Sequence, residues 1–333
     1  MSKVAIVGDI HIGNNKNNPI FHDIVLKYGE WLKKELNDRG IDTIWQLGDI
    51  FHDRVSINLL TLNTAYKFFD ILQNFNITIV VGNHDSFYLH NSSIHSLSFL
   101  KKWPNIFVAD VPVVTKDGVA LCPWGTSIND INKNKITLGH FEIQAFAMNA
   151  NKICTKGLRA LDLMNKCDIL FSGHFHKPQE RQYDGKPLIY AGSCFQQNWG
   201  ESGEDKFFYI LDTETLEYEK IENKMSPRFE YIKTEDDYNK VENNFISIDI
   251  FDLEDEFDIV NKFEKMKPLD IRIQYKERNK NVSTENIAIE QFQLVRIEDS
   301  IEEVINALEG YADDEKEEIN KRTNILYGKH RKI

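Results

Sequence analysis

Three short β-branched runs, at residues 4–7, 43–47 and 77–81, each end in a polar turn, and two longer stretches of helical periodicity separate them. The first stretch, 19–38, is amphipathic; the second, 58–73, repeats Leu59, Leu62, Ala65, Tyr66, Phe69 and Leu72 at helical spacing. Strand, helix, strand, helix, strand is the order of parallel strands joined by crossovers, so the chain begins as an α/β layer fold. Buried strands of this kind deliver polar side chains at their ends.

Beyond residue 85 the pattern changes. A helix is expected over 92–102, with Ile94, Leu97, Leu100 and Trp103 on one face. Short β runs at 106–109, 111–116 and 119–123, broken by Asp117-Gly118, suggest a second, β-rich layer. Runs at 136–138, 169–171, 188–191, 207–211 and 216–221 complete two mixed sheets flanked by helices. Composition shifts near 225–228, and strand, helix and strand patterns at 245–250, 254–266 and 270–275 form a small β-α-β appendage. Ile297, Ile301, Val304, Ile305 and Leu308 then share a helical face. The division expected is 1–225, 226–290 and 291–333.

No apolar run approaches a bilayer span, and residues 1–9 lack the pattern of a secretory signal, so a cytoplasmic protein without membrane attachment is expected. Cys122, Cys154, Cys167 and Cys194 have no C-x-x-C spacing and read as reduced, buried thiols. The net charge of −12 argues against nucleic-acid binding through a broad basic surface. It does not argue against binding through bound cations.

Five strand ends carry the chemistry: Asp9 with His11, Asp49, Asn83 with His84 and Asp85, His140, and His174 with His176. Carboxylate, imidazole and amide oxygen are ligands for divalent cations, and a two-metal site needs a bridging ligand, which a carboxylate can be and an imidazole cannot. Asp9 and His11, two apart, can aim at one ion; His174 and His176 can be divided between two; Asp49 is the natural bridge, with Asn83 and His140 completing the second ion. A lone Gly-His is most simply a turn, but the five together read as a metal centre. Of ten histidines, His11, His52, His84, His140, His174 and His176 fall in these turns; His22, His90, His95 and His330 read as surface residues.

The ordered set Asp-x-His, Gly-Asp, Gly-Asn-His-Asp, Gly-His and Gly-His-x-His resembles the calcineurin-like metallophosphoesterases over residues 4–218. The resemblance implies one metal on Asp9, His11, Asp49 and His176, a second on Asp49, Asn83, His140 and His174, and His84 as the acid near the leaving oxygen. Gly48-Asp49-Ile50-Phe51-His52, with Tyr190-Ala191-Gly192-Ser193 and Gly200-Glu201, is similar to the SbcD and Mre-eleven DNA nucleases, in their compact phage form. That subgroup implies Mn²⁺-dependent cleavage of DNA (Mg²⁺ takes similar ligands), His52 seating the backbone beside His84, and a DNA-facing cap. It also implies a helical segment that docks on an SbcC-type ABC ATPase, a homodimer formed through the apolar helices, and a role at DNA ends in recombination and repair. Two other readings stand beside it: a phosphoesterase for nucleotides or phosphoproteins, which His52 and the appendage disfavour, and a non-catalytic scaffold, which the complete ligand set disfavours.

Overall fold

The computed structural model describes residues 3–149, 152–251 and 256–276. The chain opens with β1 (Lys3–Val7), α1 (Pro19–Asp38), β2 (Thr43–Gln46), α2 (Leu59–Ile71), β3 (Asn76–Val80) and β4 (Ile106–Ala109). β1 to β4 pair in parallel, in that order. Both helices start on an asparagine: the Asn18 side chain accepts from Ile20 N and the Asn58 side chain from Leu60 N, satisfying amides the helix itself leaves unpaired. Tyr28, Leu32 and Leu36 of α1 and Phe68 and Phe69 of α2 pack with Ala5, Ile44, Ile77 and Ile79 in one apolar core.

The run at 106–109, expected in the second layer, is instead the edge of this first sheet. Alternation explains it: Ile106 and Val108 join the helix-covered core, while Ala109 reaches the core on the opposite face. The helix expected over 92–102 is a 3-10 turn confined to Ser96–Lys102. Ahead of it, Ser86 bridges His95, Phe87 N donates to Ile94 O, and Ser92 Oγ donates to Asp110 O at 2.7 Å. These contacts tie 92–95 to neighbouring segments in non-helical geometry, bent at Ser93 and Ile94, and leave Ile94 exposed.

The second sheet is built from β5 (Val113–Val114), β6 (Val119–Cys122) and β7 (Ile136–His140), then, after the hairpin β8 (Ala147–Asn149) and β9 (Lys152–Ile153) and the short α3 (Ala160–Met164), from β10 (Ile169–Gly173), β11 (Gln179–Tyr183) and β12 (Lys186–Tyr190). Its order is β11-β12-β10-β7-β6-β5. β11, with no apolar pattern to betray it, is an exposed edge strand absent from the sequence reading. β13 (Phe207–Asp212) and β14 (Tyr218–Glu222) return to the first sheet, β13 antiparallel to β1. Ile6, Leu138, Phe171, Ile189 and Tyr209 fill the space between sheets, and Leu163 and Met164 of α3 cover the outer face of the second. The layers therefore run helix, sheet, sheet, helix: a mixed α/β fold.

β15 (Phe229–Ile232), β16 (Phe245–Ile250), α4 (Glu256–Glu264) and β17 (Asp270–Tyr275) form a small parallel sheet whose Ile246, Ile248 and Ile250 pack with Phe263. On its other face Phe245 stacks on Phe229 and on Phe21 of α1, with ring centroids 4.6 and 5.1 Å apart. β15 was not among the expected strands. The small sheet falls with both large sheets in one compact unit that ends at Lys276. The expected helical segment at 291–333 and His330 lie outside the described residues.

Two surface assignments are corrected. His22 and His95 are both buried: His22 shares the inward face of α1 with Val25 and Gly29, and His95 Nε2 lies 3.3 Å from Asp110 Oδ2. Helical spacing from Phe21, Val25 and Tyr28 would have placed His22 inside. All four cysteines are free and buried.

Candidate metal centre

The carboxyl ends of β1, β2 and β3 in one sheet and β7 and β10 in the other converge, which is where parallel strands present their loops. Short backbone contacts lock the loops together: Asp9 N donates to Gly192 O, His11 N to Asp49 O, and Trp124 N to Val81 O. Glycine is required at two of these junctions. A Cβ on Gly48, whose φ is +98°, would stand 2.6 Å from His140 Nδ1, and one on Gly82 would stand 2.2 Å from Asp49 Oδ1. Three non-glycine residues here, His11, Asp49 and His174, have φ of 53°, 52° and 97°. Such left-handed backbone is costly and is retained where surrounding structure enforces it.

The result is two carboxylate-containing triads, Asp9–His11–His176 and Asp49–His140–His174, in each of which one ligand-capable atom per residue lies within 4.8 Å of the others; a third group, His11–His52–His84, meets the same distance with imidazoles alone. Asp49 faces both: its Oδ2 is 3.5 Å from His11 Nε2 and 3.4 Å from His140 Nε2. Asn83 Oδ1 lies 2.9 Å from His140 Nε2 and 2.7 Å from His174 Nδ1. All seven expected ligand residues are thus brought together; five of them are essentially closed to solvent, and His174 and His176 are partly open.

The electrostatics are those of a centre built around positive charge. Burial, reinforced by Asp49, pushes the Asp9 carboxyl up to about 7 despite nearby histidines. Burial pushes His140 down, but Asp49 and Asp9 outweigh it and raise the ring to about 9. Burial and the neighbouring His140 hold His174 down at about 3. For Asp49, burial opposes ionisation, yet His140 and His11 win and keep it well below the usual carboxylate range.

Divalent cations fit these residues. Asp9 Oδ1 and His11 Nδ1 are buried with no hydrogen-bond partner. His140 Nδ1 must donate to the Leu47 carbonyl, 2.7 Å away, so Nε2, which faces Asn83 Oδ1 and Asp49 Oδ2, is the atom left for a cation once its proton is displaced. Similarly, His176 Nε2 and His11 Nε2 approach to 2.9 Å. Lone pairs converging in a buried site call for cations, and mixed carboxylate, imidazole and amide donors suit first-row divalent ions.

His84 and His52 stand at the mouth. Their rings stack with centroids 5.5 Å apart, and each lies against His11, at 4.7 Å for His84 and 5.4 Å for His52. His84 N donates to Asp49 Oδ1 at 2.8 Å, and its Nδ1 faces the His52 carbonyl. Asp85 is a tie: Phe51 N donates to one carboxylate oxygen and Gly82 N to the other, binding the two loops together. A cavity of about 580 Å³ opens beside His174 and His176, with Met148, Lys152 and Lys177 among its walls.

Three neighbours had no role in the sequence reading. Trp124 lies over His174 with centroids 5.0 Å apart, its indole N–H donating to Leu89 O. Glu201 Oε1 is 3.0 Å from His176 Nδ1, and buried Lys206 Nζ lies 2.7 Å from Glu201 Oε2. Glu201 had been noted only within a motif. Lys206, between Asp205 and an apolar strand, gives no signal of its burial.

Residues 2–216 match the calcineurin-like phosphoesterase superfamily domain. Exonuclease subunit 1 of enterobacteria phage T4 is 27% identical over an alignment covering 98% of this chain and 98% of that protein. Putative phosphoesterase 244L of invertebrate iridescent virus 6 is 29% identical, over 65% of this chain and 79% of its own length. A solved archaeal phosphodiesterase shares 20% identity over 66% of this chain and 99% of its own, with a TM-score of 0.37.

Proposed function

Because the chain belongs to the calcineurin-like phosphoesterase superfamily, we propose that it is a two-metal DNA nuclease that processes DNA ends. The observation that carries this reading is the position of Asp49, one carboxylate oxygen facing a histidine of each triad. In this reading Asp9, His11, Asp49 and His176 hold one cation and Asp49, Asn83, His140 and His174 the other. Bound divalent cations would neutralise the phosphate and activate water for in-line attack. Mn²⁺ is favoured over Mg²⁺ because imidazole supplies so many of the ligands.

The chain's own residues do the rest. The His52 carbonyl accepts a hydrogen bond from His84 Nδ1–H, which orients the ring so that the imidazolium can give its Nε2 proton to the leaving oxygen and remain as the neutral Nδ1–H form. The His52 ring, stacked on His84, contacts the phosphate backbone. Rigid loops, pinned by Asp85, keep these groups registered with the metal ligands.

DNA is favoured over a nucleotide or phosphoprotein substrate by the His52–His84 pair and by the end-to-end likeness to a phage exonuclease subunit. That relative is named as a subunit, which supports a partner, and we assign this role to an SbcC-type ABC ATPase docked on residues 291–333, with residues 226–290 as a DNA-facing cap. A homodimer is supported by Leu59, Leu62 and Tyr66, which α2 leaves exposed. The site of action is the cytoplasm, that of the host if the chain is phage-encoded, in recombination and double-strand-break repair; among the described residues no helix is long and apolar enough to cross a membrane.

The test offers Mn²⁺-loaded protein labelled duplex DNA, single-stranded DNA and bis-nitrophenyl phosphate. DNA degradation lost in His84→Ala is the expected result. Turnover of the small diester with DNA intact would favour the general phosphoesterase, and silence on every substrate with the ATPase supplied would favour a scaffold.

A further inference from the structure

We infer that Glu201, clamped by Lys206, is the positioning residue that fixes His176 with Nδ1 protonated and Nε2 bare, and so sets the affinity of the Asp9–His11–His176 half of the centre for its cation. The inference rests on the reading of His176 as a metal ligand.

Glu201 is almost fully buried, and its carboxylate is saturated with donors. Oε1 faces His176 Nδ1 at 3.0 Å and accepts from Asn198 Nδ2 at 2.9 Å. Oε2 accepts from Ser193 Oγ at 3.0 Å, Gln197 N at 3.3 Å and Lys206 Nζ at 2.7 Å. A carboxylate so held cannot turn away. As an acceptor it requires a hydrogen on His176 Nδ1, so that in the neutral ring Nε2, the atom 2.9 Å from His11 Nε2, carries the free lone pair.

Lys206 is the second half of the device. Its ammonium is closed to solvent and also donates to the His176 carbonyl at 2.9 Å and to Glu204 Oε2 at 2.9 Å. One buried cation thereby holds the backbone of His176 and the carboxylate that orients its ring. A buried lysine is costly unless its donors are met, and here all three are.

The arrangement is asymmetric. His140 is oriented by the neutral Leu47 carbonyl and His84 by the neutral His52 carbonyl, so among the described residues His176 is the site histidine whose outer nitrogen leans on a glutamate. A carboxylate behind an imidazole raises its basicity as a ligand, and losing such a partner typically weakens metal binding about 10- to 100-fold.

The experiment uses the full chain with Mn²⁺ as the probe and has a metal-free arm. Long-range ¹H–¹⁵N NMR of the metal-free wild type should find His176 protonated at Nδ1; Glu201→Ala should show mixed tautomers, and Glu201→Gln, whose amide oxygen still accepts, should keep the wild-type pattern. In calorimetric Mn²⁺ titrations, Glu201→Ala and Lys206→Met should weaken one of two sites by about 10- to 100-fold, leave the other unchanged, and recover kcat at high Mn²⁺; Glu201→Gln should fall between. A merely structural role would lower melting temperature without separating the two sites. Wild-type tautomer and unchanged Mn²⁺ affinity in Glu201→Ala would overturn the inference alone. A wild type that binds no Mn²⁺ would overturn the functional reading and the inference with it.

Discussion

Gly82→Ala is a one-atom perturbation at the heart of the site. The new Cβ would lie 2.2 Å from Asp49 Oδ1 and 2.3 Å from Asp49 N, and the second contact is backbone, so no side-chain rotation relieves it. Reaching ordinary contact requires the loop carrying Asn83 and His84 to move about 1 Å from Asp49, a displacement that can lower turnover about 10²-fold. The same overpacking should cost about 1–3 kcal/mol. For a chain of this size, that is a melting-temperature loss of roughly several degrees. Turnover of bis-nitrophenyl phosphate with Mn²⁺, measured beside melting temperature, checks both. Gly118→Ala is the control for the steric contact, because no atom lies within 4 Å of its Cβ; its positive φ, at +77°, adds a backbone strain that Gly82 does not have, so it bounds the stability loss from above without touching the centre. Wild-type turnover in Gly82→Ala would refute the claim that the Asp49–Gly82 approach sets the geometry of the centre.

Other perturbations separate the roles assigned above. His84→Ala should lower kcat by about 10²- to 10⁴-fold and leave Mn²⁺ affinity near wild type; an equal loss of affinity would make His84 a ligand instead. His22 is buried on α1 and burial lowers its pKa from 6.5, so its contribution to stability is present above pH 6.5 and lost as pH falls below it. His22→Leu should therefore flatten the fall in urea midpoint between pH 7.5 and 5, and an unchanged slope would contradict the assignment. Leu59→Glu with Leu62→Glu should convert a dimer to a monomer by light scattering at micromolar concentration; a monomeric wild type would refute the dimer outright.

How much of this was legible in the sequence depended on the kind of signal. The parallel start of the fold was, because β1, β2 and β3 are apolar runs separated by stretches of helical periodicity; which face of α2 is buried was not, since Leu59, Leu62 and Tyr66 of its stripe are exposed while Thr61, Thr64 and Phe68 are inside. The convergence of the seven candidate residues was legible too, since each sits at or just beyond the end of a strand and parallel strands bring those ends together. β11 escaped because Gln179 to Gln182 has no apolar alternation, and β4 was placed in the wrong layer because a four-residue run that is apolar throughout does not announce its sheet. The helix at 92–102 failed where hydrogen bonds of Ser92 and the Ser86–His95 bridge held the chain out of helical geometry against its periodicity. The Glu201–Lys206 pair was invisible as a unit for a different reason: lysine and glutamate carry a strong prior for the surface, and only the folded chain brings His176 from β10's end between them.

The central claim is that two cations shared through Asp49 cleave DNA. Its most direct test is a Mn²⁺ titration of metal-free protein in which bound metal and cleavage of end-labelled duplex DNA are read on the same sample. Cleavage that rises with the second equivalent of Mn²⁺, and is absent in Asp49→Asn, is the predicted result. Full cleavage at one equivalent, or intact DNA with both equivalents bound and the ATPase partner supplied, would contradict it.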